Sequence, residues 1–205
     1  MEKHALHYET FIKVSRAISE SKDPEEVVLM TAESIKTAMN VKGCSIFLIN
    51  KKTNELELAA SHGLSGEYIQ KGPINYMHSI RESMEEGPVA IFNVHDDPRI
   101  QYPEEAKKEG ISSILGVPII IRGKVTGALR VYTEEPWDFT LRDVDLIQAV
   151  AQICGMAIDV CRLHRGYMTS IEVLKNMRDP KEFKSNKWTP YEGVPKSVSP
   201  SICDY

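Results

Sequence analysis

The sequence predicts an α+β fold built on antiparallel strands, with helices at both ends of the chain. Two pairs of strand-like segments each return across a short turn, and such hairpins make neighbouring strands antiparallel. Helical periodicity precedes the first pair and follows the second pair. One strand is apolar at consecutive positions, which is typical of a strand covered on both faces. Together these patterns indicate a sheet with other elements packed in front of it and behind it.

The composition is that of an ordinary folded chain, and it narrows the function classes. The 205 residues are 42% hydrophobic and 26% charged, with a formal net charge of −4. This balance argues against a nucleic-acid partner, because dedicated binders usually carry a basic surface. No apolar run approaches the roughly 18 residues of a membrane-spanning helix, and the polar N-terminus is unlike a signal peptide, so we expect no membrane partner. The four cysteines form no Cys-x-x-Cys pair, which fits a reducing cytoplasm.

Two amphipathic helices are predicted on the N-terminal side. Residues 4–20 place apolar side chains at helical spacing. A second helix begins after Asp23, because Asp caps the first turn and Pro24 suits the first helical position. The two glutamates that follow face the positive end of the helix dipole, and the pattern runs to about Asn40.

Strand periodicity then replaces helical periodicity. The predicted strands are, in chain order, 43–50, 55–61, 89–94, 111–121 and 124–133. The first two form a hairpin around a turn at 51–54, and the last two form a hairpin around Arg122-Gly123. The strand at 111–121 is the one expected to be covered on both faces.

Capping signals predict the remaining helices. A short helix at 103–109 opens on acidic residues, closes on lysines and stops at Gly110. The longest helix begins after Thr140, with Asp143 placed for a near capping box, and continues past a break near Gly166 to Met177. We therefore expect a domain over 1–165 and, over 166–205, a helical extension with a tail rich in prolines and aromatic residues that docks in part.

Four local motifs within this order of elements are similar to the GAF domain family. They lie at 93–99, 109–119, 123–132 and 139–143, and the resemblance covers roughly residues 8–165. The resemblance implies a central antiparallel sheet of about five to six strands with the terminal helices on one face. It implies loops and short helices that enclose a small-molecule pocket on the other face. It also implies a stand-alone regulatory role in signal transduction, and it specifies no ligand or cofactor.

Two ligand-binding variants of the family depend on residues that this chain largely lacks. Cyclic-nucleotide members carry Asn-Lys after the last strand, then Phe and, four residues later, Asp-Glu. This chain keeps Phe139 and Asp143 but has Thr133-Glu134 and Val144 at the other positions. Bilin-binding members attach their chromophore to a cysteine commonly followed by histidine, and no Cys-His pair occurs here. Neither ligand is therefore favoured.

A third variant, the free methionine sulfoxide reductases, is enzymatic. It needs thiols in loops over the pocket, because one thiolate attacks the sulfoxide and a second cysteine resolves the product. Here Cys44 lies in a strand, Cys154 and Cys161 lie on the apolar stripe of the long helix, and Cys203 lies in the tail. This enzyme remains the less favoured alternative.

Candidate ligand contacts lie in the segment expected to roof the pocket and around the later strands. A roof needs hydrogen-bonding groups and flat rings to hold a small polar ligand. The predicted contacts are His62, Tyr68, Tyr76, His78, Asn93, Asp96, Arg99, Ser113 and Arg130. For the first four the alternative is a solvated loop. For the group at 93–99 the alternative is local, with Asp97 capping a turn and Arg99 paired with a carboxylate.

Arg130 makes the sharpest prediction about the ligand. It shares one face of its strand with Thr126, Ala128 and Tyr132. Burying an unpaired charge is costly, so an Arg130 that faces the pocket predicts an anionic ligand such as a carboxylate, phosphate or nitrate-like group. On an edge strand it would only extend its charge into water.

The leading hypothesis is a non-enzymatic cytoplasmic sensor of a small molecule. The sequence contains no P-loop and no nucleophile elbow. It also shows no three-ligand metal cluster, because His4 and His7 have no third ligand nearby in sequence. The terminal helices predict a homodimer that passes the bound state to a signalling partner, through these helices or the tail. Candidate interface residues are Tyr8, Phe11, Ile158, Cys161 and Met168, and the alternative is that they belong to the core. A structural dimerisation module without a ligand is the alternative function.

Overall fold

The computed structural model describes residues 11–12, 15–16, 19, 23–50, 52–53, 56–72 and 87–177. The chain divides into two compact units, Met1–Arg162 and Leu163–Tyr205. Several predictions lie outside the described residues: those for His4, His7, Tyr8, Tyr76, His78, Cys203 and the tail at 179–205.

A five-stranded antiparallel sheet forms the centre of the first unit, which confirms the predicted fold class. Its strands are β1 (Gly43–Ile49), β2 (Leu56–His62), β3 (Val89–Ile91), β4 (Ser113–Ile121) and β5 (Lys124–Thr133). Their order across the sheet is β2-β1-β5-β4-β3, and every neighbouring pair is antiparallel. β5 is thus the middle strand, so Arg130 does not lie on an edge.

The β4–β5 hairpin turns on the two residues that the sequence predicts. Arg122 and Gly123 both have positive φ, 51° and 73°. Two successive positive φ values belong to a type I′ turn, whose twist matches that of the flanking strands. Arg122 also donates from Nε to Asp159 at 2.9 Å, which ties this turn to the last helix.

Three helices begin where the sequence predicts, after Asp23, at Pro103 and after Thr140, and a short helix after Ser65 was not predicted. They are α1 (Pro24–Met39), α2 (Gly66–Ile69), α3 (Pro103–Glu109) and α4 (Leu141–Met177), and the described residues between 11 and 19 are also helical. Asp23 accepts from the Glu25 backbone N–H at 2.9 Å. The Thr140 N–H donates to Asp143 at 2.8 Å, and the Asp143 N–H donates back to the Thr140 hydroxyl at 3.3 Å. This reciprocal pair is a capping box, with Asp in place of the usual Glu or Gln.

The predicted break near Gly166 is wrong, because α4 is continuous through that residue. A glycine inside a helix costs only about 1 kcal/mol relative to alanine, which is too little to interrupt a long helix.

By length and composition alone, the segment 141–175 could cross a membrane, with a window of mean hydropathy 1.5. Within the protein 44% of that window is buried, and a core helix has the same composition.

The two faces of the sheet have different cores. On one face, strand residues such as Ile46 and Leu129 pack with Ile35 of α1 and Ile147 of α4. The opposite face carries two smaller clusters, formed around Tyr132 and around Phe47. The alternation of side chains along β1 and β5 produces this division. The helices therefore cover one face and leave the other to loops and short helices, as predicted.

Two of the predicted interface residues lie in the core of their own domain. Ile158 is 0% exposed and Cys161 is 6% exposed, and both belong to the helix-covered core. Phe11 is partly buried against the same core. Met168 is exposed. Burial of Ile158 and Cys161 corresponds to the alternative that the sequence left open, because a side chain without exposed surface has none to offer a second subunit.

Candidate functional site

A cavity of about 120 Å³ lies on the sheet face opposite α1 and α4. It is lined by Ser45, Phe47, Leu56, Leu58, Ser61, Leu64, Tyr68, Ile69, Lys71, Gly72 and Tyr132. These residues come from β1, β2, β5 and the segment that follows β2. Since an engineered cavity of about 150 Å³ holds benzene, this one is large enough for a ligand of about six non-hydrogen atoms.

Strand register places a row of polar side chains beneath this cavity. Ser45 on β1 pairs with Ser61 on β2 and, on its other side, with Arg130 on β5. Arg130 in turn pairs with Gly116 on β4. Directly paired residues of antiparallel strands point to the same face. The row therefore presents two hydroxyls and one guanidinium to the cavity side, and Gly116 leaves the space beside Arg130 open.

A hydrogen bond connects two members of this face. The Tyr132 phenol oxygen lies 2.8 Å from Ser45 Oγ, and both residues are buried. Arg130 lies two positions from Tyr132 on the same face of β5, and its charge lowers the pKa of the phenol against the larger effect of burial. Either oxygen of the Ser45–Tyr132 pair can donate, so one hydroxyl proton of the pair is left for a group in the cavity. Burial raises the pKa of Tyr132, so the phenol keeps its proton.

Ser61 has a buried hydroxyl with no hydrogen-bond partner among the residues that the structure describes. It lines the cavity beside Ser45. An unsatisfied buried hydroxyl costs about 1–3 kcal/mol, so such groups are rare in native proteins. The cavity wall thus contains a donor and acceptor that a bound molecule could satisfy.

Lys71 brings a positive charge to the cavity. Its Nζ lies 3.4 Å from the centre of the Tyr68 ring and donates to the Tyr68 carbonyl at 2.9 Å. Burial, and to a lesser extent the Arg130 charge, lower the pKa of Lys71 to about 8, and Glu109 and Glu105 oppose the shift. Lys71 is therefore still mostly protonated at neutral pH, in a site where its charge is poorly solvated.

Tyr68 is held in place from two sides. Its ring packs edge to face on Tyr132, with centres 6.0 Å apart at 83°. Its backbone N–H donates to Ser65 Oγ at 3.2 Å, and Ser65 is bound through its N–H to Glu109 at 2.8 Å. Burial raises the pKa of the Tyr68 phenol. The chain from α3 through Ser65 thus positions the aromatic platform on which Lys71 rests.

Of the predicted contacts within the described residues, Tyr68 lines the cavity and Arg130 lies on the same face. The guanidinium carbon of Arg130 is 5.8 Å from the centre of the Phe47 ring, which forms part of the cavity wall. His62 is exposed at the end of β2. Ser113 is buried, and it donates to the Phe92 carbonyl and accepts from the Trp137 N–H at 2.8 Å.

The group at 93–99 is bonded within itself and does not line the cavity. Asn93 donates to Asp96 at 2.6 Å. Arg99 donates from Nε and from its backbone N–H to Asp97, each at 2.9 Å. These hydrogen bonds lower the pKa of Asp97. The arrangement is the local one that the sequence offered as an alternative, with Arg99 paired to a carboxylate.

Tyr68 is the one described lining residue that the sequence-based set contained, and the residues it missed include Ser45, Phe47, Ser61 and Lys71. The period-two alternation of β1 carries a signal for two of them, because Ser45 and Phe47 lie two positions apart on one face. Ser61 becomes visible only from the β1–β2 register, in which a bulge near Phe47 shifts the pairing. No local pattern marks Lys71.

The described cysteines do not belong to this site. Cys44, Cys154 and Cys161 are free thiols buried against the helix-covered face. Burial raises the pKa of Cys44 and raises that of Cys154 to about 11, so these thiols stay protonated at neutral pH. Within the described ranges, no group of three or more His, Cys, Asp or Glu side chains is placed to hold a metal ion.

Comparisons with known proteins match this architecture. The family model for the GAF domain matches residues 21–159. A probable 3′,5′-cyclic phosphodiesterase of Caenorhabditis elegans is 28% identical over 114 residues, which cover 52% of this chain and 15% of that protein. The chain thus spans only a small part of that relative's length.

Solved GAF-fold structures superpose over most of the chain. The GAF domain of a phosphoenolpyruvate-protein phosphotransferase from Coxiella burnetii gives a TM-score of 0.69 at 18% identity, covering 78% of this chain and 96% of its own. The free methionine-R-sulfoxide reductase from Neisseria meningitidis, in complex with its substrate, gives 0.68 at 20% identity, covering 80% and 95%. At such identities the likeness shows the fold alone. Because the family model extends over more than half of the residues and the sheet topology agrees with it, the chain belongs to the GAF domain family of regulatory and sensory modules in signalling proteins.

Proposed function

We propose that this GAF domain is a non-enzymatic sensor that binds a small molecule in the cavity in front of its sheet. The observation that carries the proposal is the buried Ser61 hydroxyl, which lines the cavity without a hydrogen-bond partner in the described part of the protein. A module whose pocket is filled by its own side chains has no reason to keep such a group unsatisfied. A ligand oxygen or nitrogen beside Ser61 would remove that penalty.

The absence of enzymatic activity is part of the same proposal. Among the described residues that line the cavity there is no histidine or carboxylate, so its serine hydroxyls have no such base to activate them. Sulfoxide reduction of the kind carried out by the Neisseria protein requires reactive thiols. The described cysteines of this chain are buried behind the sheet, and burial raises the pKa values of Cys44 and Cys154, which supports a binding role over thiol chemistry.

We further propose that the signal leaves through a homodimer of this chain. In the second unit, exposed apolar side chains recur at helical spacing along the end of α4, at Leu163, Tyr167, Ile171 and Leu174. Such a stripe is typical of a helix that packs against a partner helix. A ligand that binds one arrangement of paired helices more tightly than another would shift their populations and so inform a signalling partner.

The same stripe also favours the second candidate, a dimerisation module without a ligand. Native mass spectrometry of the freshly purified full chain, repeated after denaturation, separates the two. A mass excess that disappears on denaturation supports the sensor. A clean dimer mass with no excess supports the structural module.

The matched variants Ser61→Leu and Ser61→Ala localise any retained mass. Leu fills the space beside Ser45, whereas Ala removes the hydroxyl and keeps the room. We expect Ser61→Leu to lose the mass excess and Ser61→Ala to keep at least part of it. An excess that survives Ser61→Leu would place the ligand elsewhere and contradict the proposed site.

A cytoplasmic location belongs to this proposal as well, and the free thiols of Cys44 and Cys154 agree with it.

A further inference from the structure

The cavity is divided into a polar end and an apolar wall. The lining residues with hydrogen-bonding side chains are Ser45, Ser61, Lys71, Tyr68 and Tyr132. The rest of the wall is formed largely by the hydrophobic side chains of Phe47, Leu56, Leu58, Leu64 and Ile69. A ligand that matches both parts must carry a compact polar head and a short hydrocarbon body.

The charge of the polar end is positive. Lys71 contributes its ammonium group, and none of the described lining residues is acidic. Arg130 lies on the same sheet face near Phe47, and its charge acts on Lys71, Tyr68 and Tyr132. Among the described residues, the acids whose charges act on Lys71 are Glu109 and Glu105 of α3, and Glu109 is already bound by Ser65. A cationic head would be repelled by two positive charges, whereas an anionic head would be attracted.

We infer that the cavity takes a small aliphatic monocarboxylate, with its carboxylate beside Lys71 and the serine hydroxyls and its hydrocarbon body against Phe47 and the leucines. This inference rests on the proposed function, since it names the ligand class of the same cavity. The size fits, because a carboxylate of four carbons has six non-hydrogen atoms and the cavity measures about 120 Å³. A phosphate or sulfate ester would use most of that volume for its head group and leave the apolar wall without contact.

The serines complete the recognition of the head group. Ser61 has a proton to donate, and the Ser45–Tyr132 pair keeps one hydroxyl proton that its own hydrogen bond does not use. A carboxylate offers two acceptor oxygens, which accept such bonds without any proton of their own. An amide of the same shape offers one acceptor and no charge.

Lys71 also makes the binding depend on pH in a direction that can be stated in advance. Its pKa in the empty protein is about 8, and a bound carboxylate favours the charged ammonium. Binding above pH 8 must therefore take up a proton at Lys71, so the affinity should fall by up to about tenfold per pH unit above that value. In the described part of the chain, the other titratable or charged groups that act on or contact Lys71 are Tyr68, Arg130, Glu105 and Glu109, of which the tyrosine holds its proton throughout this range.

The test titrates the full chain with acetate, propionate, butyrate and pentanoate, each paired with its primary amide, and follows the backbone amide NMR signals of the cavity residues. We expect a carboxylate of three to five carbons to bind at least about tenfold more tightly than its amide. Lys71→Met should weaken this carboxylate by at least about tenfold, whereas Lys124→Met, at an exposed lysine at the start of β5, should leave it unchanged. Lys71→Arg should retain binding and lose the fall above pH 8, because Arg stays charged.

Two outcomes overturn the inference and leave the proposed function standing. In the first, the amides bind as tightly as the acids and Ser61→Leu abolishes both. In the second, no acid binds although the purified protein retains another mass in the native spectrum. If no member of either series binds and the native spectrum is clean, the inference and the proposed function both fail. If Lys71→Met does not fold, the pH dependence of binding to the unaltered protein tests the same role. An affinity that stays constant from pH 7 to 9.5 would contradict the role of Lys71.

Discussion

Ser45 and Ser61 pair directly across β1 and β2, yet their hydroxyls are in opposite situations. Ser45 Oγ lies 2.8 Å from the Tyr132 phenol oxygen, whereas Ser61 Oγ is buried without a partner among the described residues. Removal of the hydroxyl should therefore have different effects on stability at the two positions. The satisfied hydroxyl contributes to the fold, and the unsatisfied hydroxyl is the one that the proposed ligand would bind.

The first prediction compares Ser45→Ala with Ser61→Ala. Ser45→Ala should lower the free energy of unfolding by about 1–2 kcal/mol, because the buried Tyr132 hydroxyl loses its partner. Ser61→Ala should leave it unchanged or raise it slightly, because the lost hydroxyl was already unsatisfied. Urea denaturation of the ligand-free variants measures both. Equal losses at the two positions would show that Ser61 is satisfied in solution.

The second prediction concerns stability above neutral pH. The pKa of Lys71 is about 8 in the folded protein and 10.5 in the unfolded chain, so between these values the unfolded state binds more protons. Stability contributed by this group therefore rises as pH increases through that window. Tyrosine and cysteine groups with raised pKa values act in the opposite sense near the upper end, so the comparison is with Lys71→Met.

The expected readout is the urea midpoint of each protein at pH 7.0 and pH 9.5. Between these pH values, the midpoint of the unaltered protein should rise relative to that of Lys71→Met. A difference that stays constant would mean that Lys71 is more exposed to water than its position over Tyr68 indicates.

The third prediction concerns thiol reactivity. In a Cys203→Ser background, Cys44, Cys154 and Cys161 should react with a thiol reagent only as fast as the domain opens, because all three are buried and the pKa values of Cys44 and Cys154 are raised. Labelling at pH 7.5, with and without moderate urea, measures this. Rapid stoichiometric labelling of the folded protein would show that the thiols are accessible and would favour thiol chemistry.

The fourth prediction concerns the start of α4. Thr140→Ala should lower the free energy of unfolding by about 1 kcal/mol, because it removes the hydroxyl that caps the Asp143 N–H. Thr140→Ser, which keeps that oxygen, is the matched control and should remain close to the original protein. Thermal or urea unfolding of the pair measures the difference, and similar losses in both would assign the effect to packing of the methyl group.

The fifth prediction concerns the homodimer. Ile171→Glu should shift the protein towards monomer, because a charge in the apolar stripe of the second unit would have to be desolvated in a helix pair. Thr169→Glu introduces the same charge on the other side of that helix and should leave association unchanged. Sedimentation velocity over a range of concentrations distinguishes them. If the unaltered protein is a monomer, the proposal that the signal leaves through a homodimer is wrong.

Local signals predicted most of the elements. The bounds of α3 and β5 agree with the sequence patterns, since a Pro at the helix start, a Gly at its end and a two-residue turn act over a few neighbouring positions. The break near Gly166 failed for a related reason. Glycine signals a possible helix end, but its small cost is outweighed when the hydrogen bonds on both sides are kept.

The candidate site was predicted only in part, and Arg130 shows why. Alternation along β5 placed Arg130 on the same face of the strand as Tyr132. Only the strand order shows that β5 is the middle strand, so that Arg130 does not lie at an edge of the sheet. Lys71 is fixed by its stacking on Tyr68, which in turn depends on Ser65 and on Glu109 of α3. The contact of Ser65 with Glu109 joins residues 44 positions apart, so no short window of the chain contains the whole arrangement.

The sequence by itself thus determined the order of elements, their caps and turns, the alternation of the strands and the family to which the domain belongs. These properties depend on backbone sterics, capping hydrogen bonds and hydrophobic period, all of which act between near neighbours. The tertiary structure alone decided that Ser45, Ser61 and Tyr132 share one cavity with Lys71, and that Ile158 and Cys161 are core residues. Ser45 and Tyr132 are 87 positions apart, and the register and packing that join them arise only when the whole sheet closes.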